Sequence, residues 1–277
     1  MSLARRLAAA AALRVVTRLP SGAVGRARVA GRLAPLLEKV FAVIGSPLEG
    51  TVVAIAAGPA EGLKIVGERR SLAWLSGGVE RELQAIVESE LPREGVFVDA
   101  GASIGFFSLL AARLVGPTGR VIAFEPQPAA AASIRVNADL NSFGQITVVE
   151  AALSSASGTG VLHGLGTATA RLSAEEQPGG LPVELVSLDD FLAARPGLVP
   201  DLVKIDVEGH EPDVLAGMTR TLEDHRPAVL VELHGTRGSV VQALQEAGYA
   251  VSVVGSTQAP LEADASAHLH AHRPSSP

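Results

Sequence analysis

Short, wholly apolar runs alternate along this chain with longer segments whose apolar residues recur every three to four positions. Val96, Phe97 and Val98 run into Asp99, and 104–115 then carries a helical period. Residues 120–124 form a second apolar run, 127–140 an Ala-rich helical segment, and 146–149 a third run. The alternation resumes with 201–205, 211–222, 228–233, 239–247 and 249–254, read in turn as strand, helix, strand, helix and strand. Apolar runs bounded by turn residues are buried strands, and strands alternating with helices at this spacing make βαβ units. The expected fold is therefore α/β, with a mainly parallel sheet covered by helices on both faces.

Upstream, Val79, Leu83, Ile86, Val87 and Leu91 keep a helical period until Pro92 stops it. Residues 51–56 and 63–66 are β-type runs separated by Gly58-Pro59 and Gly62, which predicts a small hairpin capping the core. Residues 152–186 mix small residues, glycines and short apolar runs and read as a β-rich insertion, followed by a short helix over 188–192. One or two Ala/Arg/Leu helices are expected over 2–43, broken by Pro20-Ser21-Gly22. In 256–277, Ala267, Leu269 and Ala271 alternate with His268, His270 and His272. That pattern fits an edge strand with its imidazoles outward or a disordered tail, and metal capture by the three histidines is a further reading.

Composition narrows the classes. With 277 residues and 47% hydrophobic content, one large core plus an appendage is expected. Aromatic residues make up only 3%, so base-stacking platforms are scarce and a single-stranded nucleic-acid binder is disfavoured. No cysteine is present, which removes disulfides, thiolate metal sites and thiol nucleophiles. Net charge is −6, yet residues 1–40 hold Arg5, Arg6, Arg14, Arg18, Arg26, Arg28, Arg32 and Lys39 against Glu38 alone. This basic leader reads as a solvated face beside a docking helix, with a membrane-surface helix making weak contact or a nucleic-acid arm as the alternatives. Its uncharged run is too short for a secretory signal, and no apolar run reaches the ~18 residues of a membrane span, so a cytoplasmic location is expected.

The candidate chemistry begins where the first strand turns into its helix. A dinucleotide fold needs G-x-G-x-x-G there, but from Gly101 the later glycine positions hold Ser103 and Phe106. An acid followed by Gly101 and Gly105 suits a smaller zwitterion, and S-adenosylmethionine fits: Asp99 accepts from its ammonium, while bare backbone at Gly101 lets the chain pass. Glu125, closing the second strand, is placed to accept both ribose hydroxyls. Lys204, Asp206, Glu208, His210 and Glu211 crowd the end of a buried strand, where unpaired charge is costly, so they point to a site.

Taken as a set, these motifs resemble the FkbM-type S-adenosylmethionine-dependent methyltransferases. Such proteins pair a V-x-D-x-G-A-x-x-G turn with a V-x-A-F-E-P strand, an S-L-D-D segment and a K-I-D-V-E-G-x-E turn; here these fall at 97–108, 121–126, 187–190 and 204–211. Asn137, Asn141 and the Gly-x-Glu of Gly78 to Glu80 also match, whereas Ser103 stands where asparagine is usual. The resemblance implies a class I, Rossmann-like sheet of seven strands with the last antiparallel, making 268–272 that strand. It also implies a division into a basic helical extension, 1–50, and a methyltransferase domain, 51–277, with hairpin and helix over 51–92 and the catalytic core over 93–277.

The implied function is O-methylation of a hydroxyl on a sugar or polyketide-like natural product. Asp99, Gly101, Ser103, Gly105, Glu125 and Glu80 are the expected cofactor residues. His210 is the first candidate base because its ordinary pKa is near neutral, with Asp206 second; Asp206 orients His210 or the acceptor, Glu208 binds acceptor hydroxyls, and Lys204 pairs with one of the acids. Glu232 and His234 are expected substrate contacts or a strand-end ion pair. Asp206, Glu208 and Glu232 offer oxygen ligands, but nothing in the spacing demands a metal and none is assigned. Two other readings share this sheet: an NAD(P)- or sugar-nucleotide-dependent enzyme, and a non-catalytic cofactor-binding module that engages partners through the leader.

Overall fold

The computed structural model describes residues 48–67, 72–164, 171–173 and 179–272. The basic leader, its expected helices over 2–43 and its membrane-surface reading lie outside the described residues. In chain order, hairpin strands β1 (Val52–Ala54) and β2 (Lys64–Val66) precede α1 (Leu72–Leu75) and α2 (Arg81–Glu90). The core follows with β3 (Val96–Ala100), α3 (Phe106–Val115), β4 (Arg120–Phe124), α4 (Pro128–Leu140) and β5 (Ile146–Val149). An insertion of β6 (Ala151–Leu153), β7 (Gly158–His163), β8 (Arg171–Ser173) and β9 (Leu181–Val186) leads to α5 (Leu188–Ala193). The chain then returns to the core through β10 (Leu202–Ile205), α6 (Glu211–Ala216), β11 (Ala228–Glu232), α7 (Arg237–Glu246), β12 (Ala250–Val253) and β13 (His268–His272).

Seven strands make the central sheet in the order β12-β13-β11-β10-β3-β4-β5, all parallel except β13, which is antiparallel to both neighbours. Both faces are buried. Val98 and Ala100 of β3 pack with α5, α6 and α7, while Phe97, one position before Val98, packs on the opposite face with α2 and α3. That alternation explains why the central strands read as unbroken apolar runs.

Three expectations change. Residues 268–272 form neither an edge nor a tail: β13 lies inside the sheet with Leu269 and Ala271 fully buried. Its histidines do not converge on one ion, since His268 faces Glu232 at 3.3 Å and His270 faces Glu90 at 3.3 Å. The helix expected over 211–222 stops at Ala216, because Gly217 lies against the Ser154 carbonyl, 1.9 Å from where a Cβ would stand. A separate π-type turn, Thr221–His225, follows, pinned by Asp189, which accepts from the Thr221 N–H and hydroxyl at 2.8 and 2.7 Å.

The β-rich reading of 152–186 corresponds to a four-stranded sheet in the order β6-β9-β7-β8. It supplies Ala152, Leu153, Leu162 and Leu172 to one wall of a cleft over the carboxyl ends of the central strands.

Candidate active site

The cleft begins at the turn after β3. Gly101 adopts φ +79, and a Cβ on it would stand 1.9 Å from the Asp206 carbonyl oxygen, so the turn can touch the end of β10 only without a side chain. Gly105, at φ +85, starts α3 with its Cα side against Ile134. Ser103, also left-handed at φ 52, donates its N–H to Glu125 Oε2 at 2.8 Å. The other Glu125 oxygen accepts the Gln127 N–H at 2.9 Å. Burial outweighs these two bonds and pushes the Glu125 carboxyl up to about 7.

Asp99 is placed differently from expectation. It is 1% exposed, accepts the Ser108 hydroxyl at 2.6 Å beneath the turn, and forms no part of the cleft wall. Burial raises its pKa, and nearby Lys204 opposes that rise. Its position supports the turn from behind.

At the end of β10, the buried Lys204 donates to Asp206 Oδ2 at 3.0 Å. Burial alone would lower the lysine pKa, but Asp206, Asp99, Glu80 and Glu232 surround it and hold it above its ordinary value. Asp206 and Glu208 both line the cleft, and burial raises both carboxyls. Glu208 reaches the wall through a left-handed backbone, φ 54.

His210 turns away from them. Its Nε2 lies 2.9 Å from Ser154 Oγ and its Nδ1 3.3 Å from Asp213, so the expected Asp206–His210 contact is absent and His210 is not a wall residue. The reason is local: His210 is the N-cap position of α6, one residue past Gly209, and the chain has already rotated away from the strand tip.

His234 occupies the place foreseen for His210. Its Nδ1 meets Glu211 Oε1 at 3.0 Å, and its Nε2 lies 3.4 Å from Glu208, 3.8 Å from Glu232 and 4.0 Å from Asp206. Glu211 is fully buried and further fixed by the Thr236 hydroxyl at 2.6 Å and the Gly209 N–H at 2.8 Å. Burial would lower the imidazole pKa, but Glu211, Glu208, Asp206 and Glu232 carry it up to about 9. At neutral pH it is an imidazolium among acids rather than a free base. Glu232 moves the other way: burial favours its neutral form, yet His268, Lys204 and His234 hold it down at about 2.

Sequence reasoning missed one member of this group and the partner of another. Glu211 is legible among the charged residues at the end of β10, but its service to His234 follows only from the approach of the β11 and β10 ends. His268 enters because it pairs across strands with Glu232, a register that spacing does not encode. Glu80 lines the same cleft as Gly101, Ser103 and Glu125, on the side where it also neighbours Glu232 and His268.

The family description "Methyltransferase FkbM domain" matches residues 99–251. The chain is 28% identical over 155 residues to the hexuronic acid methyltransferase AglP of Haloferax volcanii, covering 56% of this chain and 62% of that protein. It is 30% identical over 200 residues to methyltransferase sdnD of Sordaria araneosa, covering 59% and 77% respectively. Among solved structures, methyltransferase FkbM from Methylobacillus flagellatus KT aligns at 21% identity and TM-score 0.46, over 65% of this chain and 44% of that one. The chain thus spans less than two thirds of the length of the first and last of these proteins.

Proposed function

This chain belongs to the FkbM methyltransferase family, and from that premise we propose that it transfers a methyl group from S-adenosylmethionine to a hydroxyl of a sugar or polyketide-like acceptor. The observation that carries the choice of donor is the charge of the cleft. Glu80, Glu125, Asp206, Glu208 and Glu232 line it, and no lysine, arginine or histidine is among the lining residues described. These five acids outnumber the cationic groups held behind and beside them, Lys204, His234 and His268, and that acid excess disfavours a pyrophosphate and favours a sulfonium and an ammonium. The same argument weighs against the NAD(P) and sugar-nucleotide readings.

When bound, the donor supplies an electrophilic methyl carbon. Gly101 lets that ligand lie close to the backbone. Glu125 has both oxygens anchored by backbone N–H groups yet keeps lone pairs for two ribose hydroxyls. Alignment of acceptor oxygen with the methyl carbon is the main work of the walls; effective molarities of about 10⁵ M or more are reached by well-aligned partners. Asp206 takes the acceptor proton as the new O–C bond forms, replacing His210 in that role. Lys204 and His234 flank its two oxygens, and its raised pKa makes it a stronger base than an ordinary carboxylate. Glu208 then orients the acceptor's other hydroxyls.

Titration calorimetry with S-adenosylmethionine tests the donor. Saturable binding is expected, weakened about tenfold by Glu125→Gln. Because Glu125 titrates at about 7, wild-type affinity should fall as pH drops from 8 to 6, and the glutamine variant should lose that dependence. Binding of NAD with no response to S-adenosylmethionine would overturn the reading. For the acceptor, a gain of one methyl that resists alkaline hydrolysis marks an ether, whereas a base-labile product marks a carboxylate ester.

A further inference from the structure

Glu80, Glu232 and His268 have no part in the proton transfer described above, yet they converge from three separate elements. Glu80 precedes α2, Glu232 ends β11, and His268 opens β13 directly opposite Glu232. One ligand atom from each lies within 4.8 Å of the other two. Metal bonds of about 2.0–2.2 Å place ligand atoms up to about 4.4 Å apart, so side-chain adjustment alone closes the gap.

A second feature sets this group apart from an ordinary patch of acids. Glu80 Oε2 is shut off from solvent and receives no hydrogen bond from any described residue. A buried carboxylate oxygen without a donor is costly unless something else meets it. The chain holds it there deliberately. Glu80 adopts a left-handed backbone, φ 49, and does not cap the helix it precedes. The loop before it is fixed by the fully buried Gln84, which donates to the carbonyls of Val79 at 2.6 Å and Gly77 at 3.3 Å. Gly77 in turn lies so close to the Ala57 carbonyl that a Cβ would stand 1.7 Å from its oxygen. A left-handed backbone at a non-glycine residue is unfavourable and persists where the surroundings over-determine it.

We propose that Glu80, Glu232 and His268 bind a divalent cation whose open positions face the cleft. Two carboxylate oxygens and one imidazole nitrogen suit Mn²⁺, Fe²⁺ or Zn²⁺ better than Ca²⁺, and the chain has no thiolate to compete. Glu80 and Glu232 are both cleft-wall residues, so the remaining ligands are water or acceptor oxygens. The cation's part in catalysis rests on the methyl-transfer reading: a coordinated hydroxyl is more acidic, which eases the loss of its proton to Asp206. Cation binding itself does not rest on that reading.

Mn²⁺ titration of the full chain, stripped with chelator and desalted, tests it by loss of the free-ion electron paramagnetic resonance signal. One saturable site per chain is expected, with Glu80→Gln and His268→Gln each raising Kd at least tenfold and the exposed Glu223→Gln leaving it unchanged. Independently of any variant, the bound ion in the wild-type protein should show nitrogen modulation from one imidazole. No saturable site, a site without the nitrogen signature, or affinity indifferent to both substitutions would each overturn the proposal. If Mn²⁺ fails to bind while Glu80→Gln weakens S-adenosylmethionine, Glu80 serves the cofactor ammonium, and the donor reading survives without the metal.

Discussion

Gly101 is the residue on which most of the cleft depends. Alanine there meets two penalties: a left-handed backbone at φ +79 and a Cβ 1.9 Å from the Asp206 carbonyl oxygen. The backbone term alone is about 1–3 kcal/mol, and relief of the contact must separate β3 from β10 at the site itself. Gly101→Ala should therefore lower stability in urea by at least that amount and weaken S-adenosylmethionine binding more than tenfold. A variant of wild-type stability would show that the two strand ends have room to part. Gly105 is less constrained, since its Cβ would meet only Ile134 carbons at 3.1–3.5 Å. The motif reading named both glycines, but their unequal importance comes from what lies opposite each.

Between elements, Asn137 of α4 and Asn141, which caps its C-terminal end, do the work of a missing strand. Asn137 accepts the Val66 N–H at 2.8 Å and donates to the Ile104 carbonyl at 3.0 Å, joining β2 to the start of α3. Asn141 accepts the Lys64 N–H at 2.8 Å and returns a bond to the Lys64 carbonyl at 2.7 Å. Side-chain amides thus satisfy the outer edge of a two-stranded hairpin that is too small to be stable alone. Asn137 is 1% exposed, so Asn137→Ala should cost about 1–3 kcal/mol by leaving buried partners unpaired. Faster hydrogen exchange at the Val66 amide would locate the loss, and unchanged exchange would refute the clamp. The sequence showed both asparagines but not their hairpin partners Lys64 and Val66, which lie more than 70 positions away. Helix ends followed the same rule: Pro92 was legible as a stop, whereas the break at Gly217 required the distant Ser154 carbonyl.

At the scale of the whole molecule, the ends of four parallel strands gather acids around Lys204 and the histidines. His234 makes this visible in bulk stability. Its pKa rises from 6.5 to about 9 on folding, so the folded state holds a proton that the unfolded state releases in between. Its stabilising contribution is complete below pH 6.5 and is lost as pH climbs through 9. The melting-temperature gap between wild type and His234→Gln should accordingly be widest near pH 6 and shrink by pH 9.5. A gap independent of pH would mean that the ring is held by packing instead of by charge. Among the described residues, no helix is long and apolar enough to cross a membrane.

The linear order of apolar runs and turn residues determined the α/β alternation, the strand-to-helix turn at Gly101, the acid at Glu125 and the charged end of β10. Those features are local: each depends on neighbours within a few positions, where backbone geometry and burial period act directly. Which ionisable groups meet was decided only by tertiary structure. Strands from distant parts of the chain bring their ends together, so Glu211 meets His234 at the tips of parallel β10 and β11, Glu232 meets His268 across the antiparallel β11–β13 pair, and His210 rotates out of reach. Spacing along one strand fixes the face a side chain takes, but the partner on that face belongs to another strand, set by sheet order and register.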